Sequence, residues 1–186
     1  MDNQEIQHLI LQAKEGNKQA FSKLVEYFQP KIFGVTFRML CNDDDAKDAV
    51  QDTFIKAWMQ LKTYRNDYQF STWLYKIATN ICLDKLKSSE RKLSVKISET
   101  NNFELTNDID TENELINKDL AEKIRNITNT LSPKQKMLFT LRYLEGLEID
   151  EIVQITGLSA VKIKNNLYLA RQNVSELLKP TMILYK

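Results

Sequence analysis

Glycine and proline are scarce in this chain of 186 residues, with Gly at 4 positions and Pro at 3. That leaves few sites for tight turns and argues against a strand-and-hairpin architecture. Cys41 and Cys82 are the only cysteines, so no disulfide framework can be read. They read instead as two small apolar core residues of a reduced, cytoplasmic protein. With His8 the only histidine, a soft-ligand zinc site lacks ligands, and neither a metal nor a cofactor is expected. No run approaches the ~18 apolar residues of a membrane span. The opening MDNQEIQHLILQAKEG also lacks the basic start and long apolar stretch of a signal peptide. Net charge is only +1, so no whole-chain basic field announces a nucleic-acid partner.

Apolar residues that are present follow a helical period almost everywhere. Ile6, Leu9, Ile10 and Ala13 form one stripe ending near Gly16; Ala20, Phe21, Leu24, Val25 and Phe28 form a second that stops at Pro30. The pattern resumes from Ile32 to Leu40. In CNDDDAKDAVQDTFIKAWMQL, Asn42 or Asp43 can cap a helix whose first turn holds acids. KTYRNDYQ reads as a loop, and FSTWLYKIATNICLDKLKSSERK as a helix capped by Ser71 or Thr72 and stapled by Phe70. Leu93 to about Asn113 is polar, acidic and aperiodic, which suits a flexible linker. Its roughly 20 residues reach about 70 Å if extended. Helix is expected again over 115–131, then in LSPKQKMLFTLRYLEG, where Ser132 caps, Pro133 takes the first position and Gly146 ends the element. The fold class is all-α: two small helical domains, 1–92 and 117–186, joined by a linker over 93–116. The charge is +2 over 1–92 and +3 over 119–186, against −4 for the segment 93–118 between them.

The most specific local signal lies near the C-terminus. Ile149, Ile152, Val153, Leu158, Ile163 and Leu167 suit two short helices packed across a turn at Gly157, a helix-turn-helix spacing. The second of these helices holds Ser159, Lys162, Lys164, Asn165, Asn166, Tyr168 and Arg171, with no acid between Ser159 and Asn173. Lys and Arg serve phosphates, whereas Asn and Ser can reach base edges. A helical hairpin with a merely solvated face is the alternative. Asp43, Asp44, Asp45, Asp48 and Asp52 could in principle hold Mg²⁺. No second acidic cluster, Gly-rich phosphate loop or histidine base accompanies them, so capping or a partner-facing surface is the better reading, and no catalytic residue is assigned. In the long helix, Leu74, Ile77, Ala78, Ile81, Cys82 and Leu86 form the core stripe. Trp73, Lys76, Asn80, Asp84 and Lys87 lie opposite it, next to Tyr64, Arg65, Tyr68 and Phe70 of the loop. Aromatics among bases suit stacking on unpaired nucleobases. They suit equally an aromatic plug at the end of the bundle, and residue chemistry alone does not separate the two.

Two blocks resemble one family. DAKDAVQDTFIKAWMQLKTYRNDYQFSTWLYKIATNICLDKLKSSERK is similar to region 2 of the sigma-70-like RNA polymerase sigma factors. LSPKQKMLFTLRYLEGLEIDEIVQITGLSAVKIKNNLYLAR resembles their region 4, and the short linker points to the extracytoplasmic-function (ECF) type. The resemblance implies that Asp48, Gln51, Asp52, Phe54 and Trp58 dock core RNA polymerase at the clamp coiled coil of its largest subunit. It further implies that Tyr64, Arg65, Tyr68 and Phe70 belong to the loop capturing a flipped base of the minus-ten promoter element. Trp73, Lys76, Asn80, Asp84 and Lys87 then fall on the helix along which that element melts, and Ser159 to Arg171 on the helix entering the minus-35 major groove. A contact with the flap of the second-largest subunit, an anti-sigma partner, a monomeric free state and a non-enzymatic role follow from the same resemblance. One departure stands out: VKIKNNLYLARQ places Asn165 and Asn166 where the family commonly has Ser-Arg, and Leu169 where Arg is common. The rival is a stand-alone dimeric helix-turn-helix regulator with an N-terminal sensing or dimerisation bundle.

Overall fold

A computed structural model describes residues 1–96, 126–128 and 130–183, with side chains described over 1–88, 126–128 and 130–176. Helices make up the described secondary structure, with no strand among these residues. Four form an N-terminal bundle: α1 (Asn3–Lys14), α2 (Lys18–Leu40), α3 (Asp43–Gln60) and α4 (Phe70–Lys96), with a 3-10 turn at Leu61–Thr63. Their starts follow from side-chain caps. Asp2 accepts from the Glu5 N–H at 2.8 Å, Asn17 from Gln19 and Ala20, and Asn42 from Asp45 at 2.9 Å. Each oxygen satisfies a donor that the first helical turn leaves unpaired. Asp43, Asp44 and Asp45 then sit at the positive end of α3. The apolar stripes meet inside, where Leu24, Ile32, Val35, Met39, Leu74 and Ala78 are fully buried. Cys41 and Cys82 are buried as well and form no disulfide.

Three local expectations are corrected. Pro30 does not stop α2; it lies inside one continuous helix from Lys18 to Leu40. A mid-helix proline costs about 3 kcal/mol. Here Phe28 and Ile32 on either side are buried while Pro30 itself is exposed, so core packing on both flanks outweighs that cost. Neither Ser71 nor Thr72 caps α4: the helix begins at Phe70, and the Trp73 N–H already donates to the Gln69 carbonyl at 3.2 Å. Phe70 is drawn into the helix by burial against Phe28, with ring centroids 5.4 Å apart. At its far end α4 runs to Lys96, past the expected boundary at 92.

The C-terminal unit contains α5 (Pro133–Phe139), α6 (Ile149–Thr156) and α7 (Ala160–Ile183). Ser132 and Gln135 form a reciprocal capping box ahead of α5, with Pro133 first in the helix. The helix expected to run on to Gly146 changes at Thr140–Leu144 into a π-helical turn, and Gly146 follows with φ 73°. Gly157, at φ 69°, ends α6 in the left-handed conformation that glycine adopts without steric cost. Most of the segment expected to link the units, and most of the helix expected over 115–131, lie outside the described residues; 126–128 are helical.

The two units pack on each other. Buried residues of α1 to α4 form one contiguous cluster with Met137, Leu138, Leu141, Ile152, Ile155, Ile163 and Leu167. The α4 helix lies against α5 and α6, and α2 lies against the π-helical turn.

Candidate nucleic-acid and partner interfaces

Helix α3 buries Ala46, Ala49, Val50, Thr53, Phe54 and Ala57, which turns Asp48, Gln51, Asp52, Ile55 and Met59 outward. Of the residues expected to dock a partner, Asp48, Gln51 and Asp52 are exposed and Trp58 is half-buried, tilted against Phe21 with centroids 4.9 Å apart. Phe54 is buried, at 7% exposure, so its ring supports the surface from below. A largely apolar cleft of about 530 Å³ opens here between α2 and α3, lined by Phe21, Val25, Phe33, Ile55, Trp58 and Met59. Ile55 and Met59 were missed from sequence and stand 50% and 76% exposed. The signal was available: on α3 they follow Gln51 at i+4 and i+8, apolar where a solvated face would be polar. Asp48 also lies 3.8 Å from Lys85 of α4, which ties the acidic face to the long helix.

The aromatic loop is more buried than its composition suggests. Tyr64 and Phe70 are each only 3% exposed, and with Trp73 they form a cluster whose centroids lie 5.2–5.4 Å apart. Trp73, expected on the side away from the core, is half-buried. The aromatic plug is therefore the state of Tyr64 and Phe70 in this structure, while Arg65 and Tyr68 are exposed. Tyr64 acts as the post of the loop. Its hydroxyl donates to the Tyr68 carbonyl at 2.7 Å, and its own carbonyl accepts from Lys14 Nζ at 2.6 Å. Burial pushes the Tyr64 phenol above its ordinary value, against a lowering hydrogen bond with Gln7 and a raising charge at Asp67. Above the post, a cleft of about 380 Å³ is lined by Asn3 and Gln7 of α1, Lys31 of α2, and Asn66, Asp67 and Tyr68 of the loop. That volume falls in the range of about 300–1,000 Å³ usual for small-ligand pockets.

Along α4, Lys76, Asn80, Asp84 and Lys87 are all exposed and follow at i, i+4, i+8 and i+11, one row on one face. The row holds two cations, an amide and one carboxylate, which suits a phosphate backbone with an adjacent base edge.

In α7, Ile163, Leu167, Ala170 and Val174 are buried. Ser159, Lys162, Lys164, Asn165, Tyr168 and Arg171 are exposed. Asn166 is half-buried and donates through Nδ2 to the Lys162 carbonyl at 2.7 Å, so its amide is partly engaged by its own helix. Ser159 Oγ accepts from the Lys162 N–H at 3.4 Å, a capping contact. Val161, which sequence reasoning passed over, and Leu169, noted there as a departure from the family pattern, stand 68% and 48% exposed on the outer side. In a major groove such side chains suit the thymine methyl group.

An exposed helix face with no acid between Ser159 and Asn173, presented by a second helix across a tight turn, defines a helix-turn-helix protein of the DNA-binding class. The helical bundle adds a polar strip and an apolar cleft of its own. The comparisons narrow the class. The family model of sigma-70 region 2 matches residues 24–92, and that of sigma-70 region 4 matches residues 121–174. The chain is 30% identical over 183 residues to the ECF RNA polymerase sigma-E factor of Haemophilus influenzae, covering 95% of this chain and 96% of that protein. It is 27% identical over 181 residues to the ECF RNA polymerase sigma factor SigW of Bacillus subtilis, covering 94% and 97%. In fold it is similar to CnrH, solved in complex with the cytosolic domain of CnrY, with a TM-score of 0.68, 23% identity and coverage of 95% and 98%. It is also similar to RpoE of Bartonella quintana, solved with the anti-sigma factor NepR, at a TM-score of 0.65, 22% identity and coverage of 86% and 96%. The chain belongs to the ECF sigma factors of the sigma-70 family. It is a transcription-initiation factor rather than a stand-alone dimeric regulator.

Proposed function

We propose that the N-terminal bundle (1–92) anchors core RNA polymerase and opens the minus-ten element, while the C-terminal unit (117–186) reads the minus-35 element across the connecting segment 93–116. The observation behind this reading is the coexistence of two exposed polar rows in one chain: Lys76, Asn80, Asp84 and Lys87 on α4, and Lys162 to Arg171 on α7. The cleft between α2 and α3, with Gln51, Ile55, Trp58 and Met59 on its α3 side, receives the clamp coiled coil of the largest subunit; Asp48 and Asp52 meet its cations. The flap of the second-largest subunit holds the C-terminal unit. Two modest anchors joined by a linker add through effective concentration. The loop from Tyr64 to Phe70 takes up an unpaired base, with Tyr68 and Arg65 meeting it and the buried Tyr64 and Phe70 holding the loop in shape. Any stacking on Tyr64 or Phe70 themselves requires the aromatic cluster to open.

The protein itself catalyses nothing; it lends promoter choice and strand opening to the polymerase. It acts in the cytoplasm, where that enzyme works, as a monomer when free, and none of its described helices is long and apolar enough to cross a membrane. Because RpoE of Bartonella quintana was solved with an anti-sigma factor, an anti-sigma protein is the expected regulator here. Reconstitution with core polymerase, followed by in vitro transcription from a genomic promoter library, tests the proposal. Specific initiation only with both components is expected. Specific duplex binding by an isolated dimer, without polymerase, would overturn it.

A further inference from the structure

The outer side of α7 divides into a crest and two flanks. A helix turns ~100° per residue, and the buried Ile163, Leu167, Ala170 and Val174 set the direction of the core. Opposite them stand Val161, Asn165, Tyr168, Leu169 and Gln172, all exposed. Lys164 and Arg171 project to one side of this crest and Lys162 to the other, each turned about 70–110° away from it. Cations placed so meet the phosphates along the walls of a major groove, while the crest faces the base edges on its floor.

The chemistry of the crest limits what it can read. Tyr168 and Gln172 are tied to each other, with Gln172 Nε2 donating to Tyr168 Oη at 2.9 Å. Asn165 has no side-chain hydrogen bond among the described residues, so its donor and its acceptor are both open. Val161 and Leu169 lie one turn before and one turn after it, 68% and 48% exposed. A single exposed aliphatic residue is ordinary; two at i−4 and i+4 of an open amide form a pattern. Guanine is read by Arg or Lys and cytosine by Asp or Glu, and the crest holds none of these. The next acid, Glu176, stands about 10 Å beyond Leu169 along the axis. From Val161 to Leu169 the crest is about 12 Å long, which covers about four base pairs at ~3.4 Å each.

We propose that α7 selects an A·T-rich minus-35 element through these three side chains. Asn165 Oδ1 accepts from the N6 amine of one adenine while its Nδ2 donates to N7, and Val161 and Leu169 pack on thymine methyl groups to either side. Lys162, Lys164 and Arg171 hold phosphates and add affinity without base choice. The inference rests on the reading that the C-terminal unit meets the minus-35 element, and adds which bases it selects and by what contacts. An apolar patch on a protein partner would also cover Val161 and Leu169, but such a contact is blind to a methyl group on DNA.

The test uses holoenzyme, the full chain with core RNA polymerase, on a promoter from which it initiates specifically, with the minus-35 element altered one base at a time. Replacing a thymine by deoxyuridine removes one methyl group and leaves pairing intact. At two positions this should weaken promoter binding about 4-fold, the worth of one buried methyl group. Val161→Ala should abolish the sensitivity at one of them and Leu169→Ala at the other. Replacing an adenine by 7-deazaadenine removes N7 and should weaken binding about 5-fold at one position, an effect absent in Asn165→Ala. Leu169→Arg supplies a gain that misfolding cannot imitate: selection from templates randomised over the element should move from thymine to guanine at one position. Indifference of the unsubstituted holoenzyme to deoxyuridine at every thymine overturns the methyl contacts, and selection of a G·C-rich element overturns the proposal outright. Weaker core-polymerase binding by Val161→Ala/Leu169→Ala, with the deoxyuridine effect intact, assigns the pair to a protein contact and also overturns it. Failure of the sigma reading would look different, as no specific initiation from any template.

Discussion

Met59 and Ile55 offer a clean separation of fold from docking. Both lie on the outer face of α3, at 76% and 50% exposure, beside the cleft that also takes in Phe21 and Trp58. Complete burial of a Met or Ile side chain contributes about 1.5–3 kcal/mol. Scaled by the exposure available to a partner, the two together should contribute about 2–4 kcal/mol to docking on the polymerase clamp. At ~1.4 kcal/mol per tenfold, Ile55→Ala/Met59→Ala should weaken the Kd for core polymerase roughly 30- to 700-fold. The fold should hardly notice, because these side chains have so little core to lose; Tm should move by no more than about 2 °C. Anisotropy titration of a labelled chain with core enzyme, run beside a thermal melt, reads both quantities. An unchanged Kd with the melt intact would refute the cleft as the docking surface. A large drop in Tm would refute the premise that the two residues are spare.

Other consequences follow from single contacts. Tyr64→Phe removes the hydroxyl donating to the Tyr68 carbonyl and should cost about 1 kcal/mol in a chemical melt, with faster amide exchange confined to the loop; uniform exchange across the bundle would contradict its role as a post. Asn80→Ala should slow strand opening, followed by permanganate footprinting, at unchanged core affinity; loss of core binding would make Asn80 structural. Asn166→Arg should tighten non-specific duplex binding and steepen the dependence of log K on log salt by about 0.9, one phosphate contact's worth. Burial pushes the Cys82 thiol from 9.0 to about 12. For Tyr75, burial first and then the Glu145 charge push the phenol from 10.0 to about 12. Both groups ionise more readily unfolded, so stability should be level up to about pH 9 and fall between about pH 9 and 12 as only the unfolded chain loses these protons. A flat urea-melt profile across that window would show that the groups are not buried in solution.

Sequence reasoning succeeded where the physics is local. Helical periodicity, the Asn42 and Ser132 caps and the left-handed turn at Gly157 each depend on residues within one or two turns, and each was legible. The rows Lys76, Asn80, Asp84 and Lys87 on α4 and Lys162 to Arg171 on α7 were likewise legible from spacing, whereas Trp73 on the same side of α4 is half-buried and Ile55, Met59 and Val161 were passed over as ordinary apolar residues. It failed where distant partners decide. Pro30 stays inside α2 because packing at Phe28 and Ile32 outweighs a missing hydrogen bond. Tyr64, Phe70 and Trp73 close on one another and on Phe28, a balance between plug and platform that composition left open.

By itself, then, the amino-acid order determined an all-helical chain with a helix-turn-helix near its end and a family likeness in two blocks, because capping, periodicity and turn chemistry act over a few residues. Only the tertiary structure decided which aromatics are hidden and how the two units meet. Those outcomes depend on burial shared between residues such as Arg38 and Glu145, more than a hundred positions apart, and no local pattern encodes that.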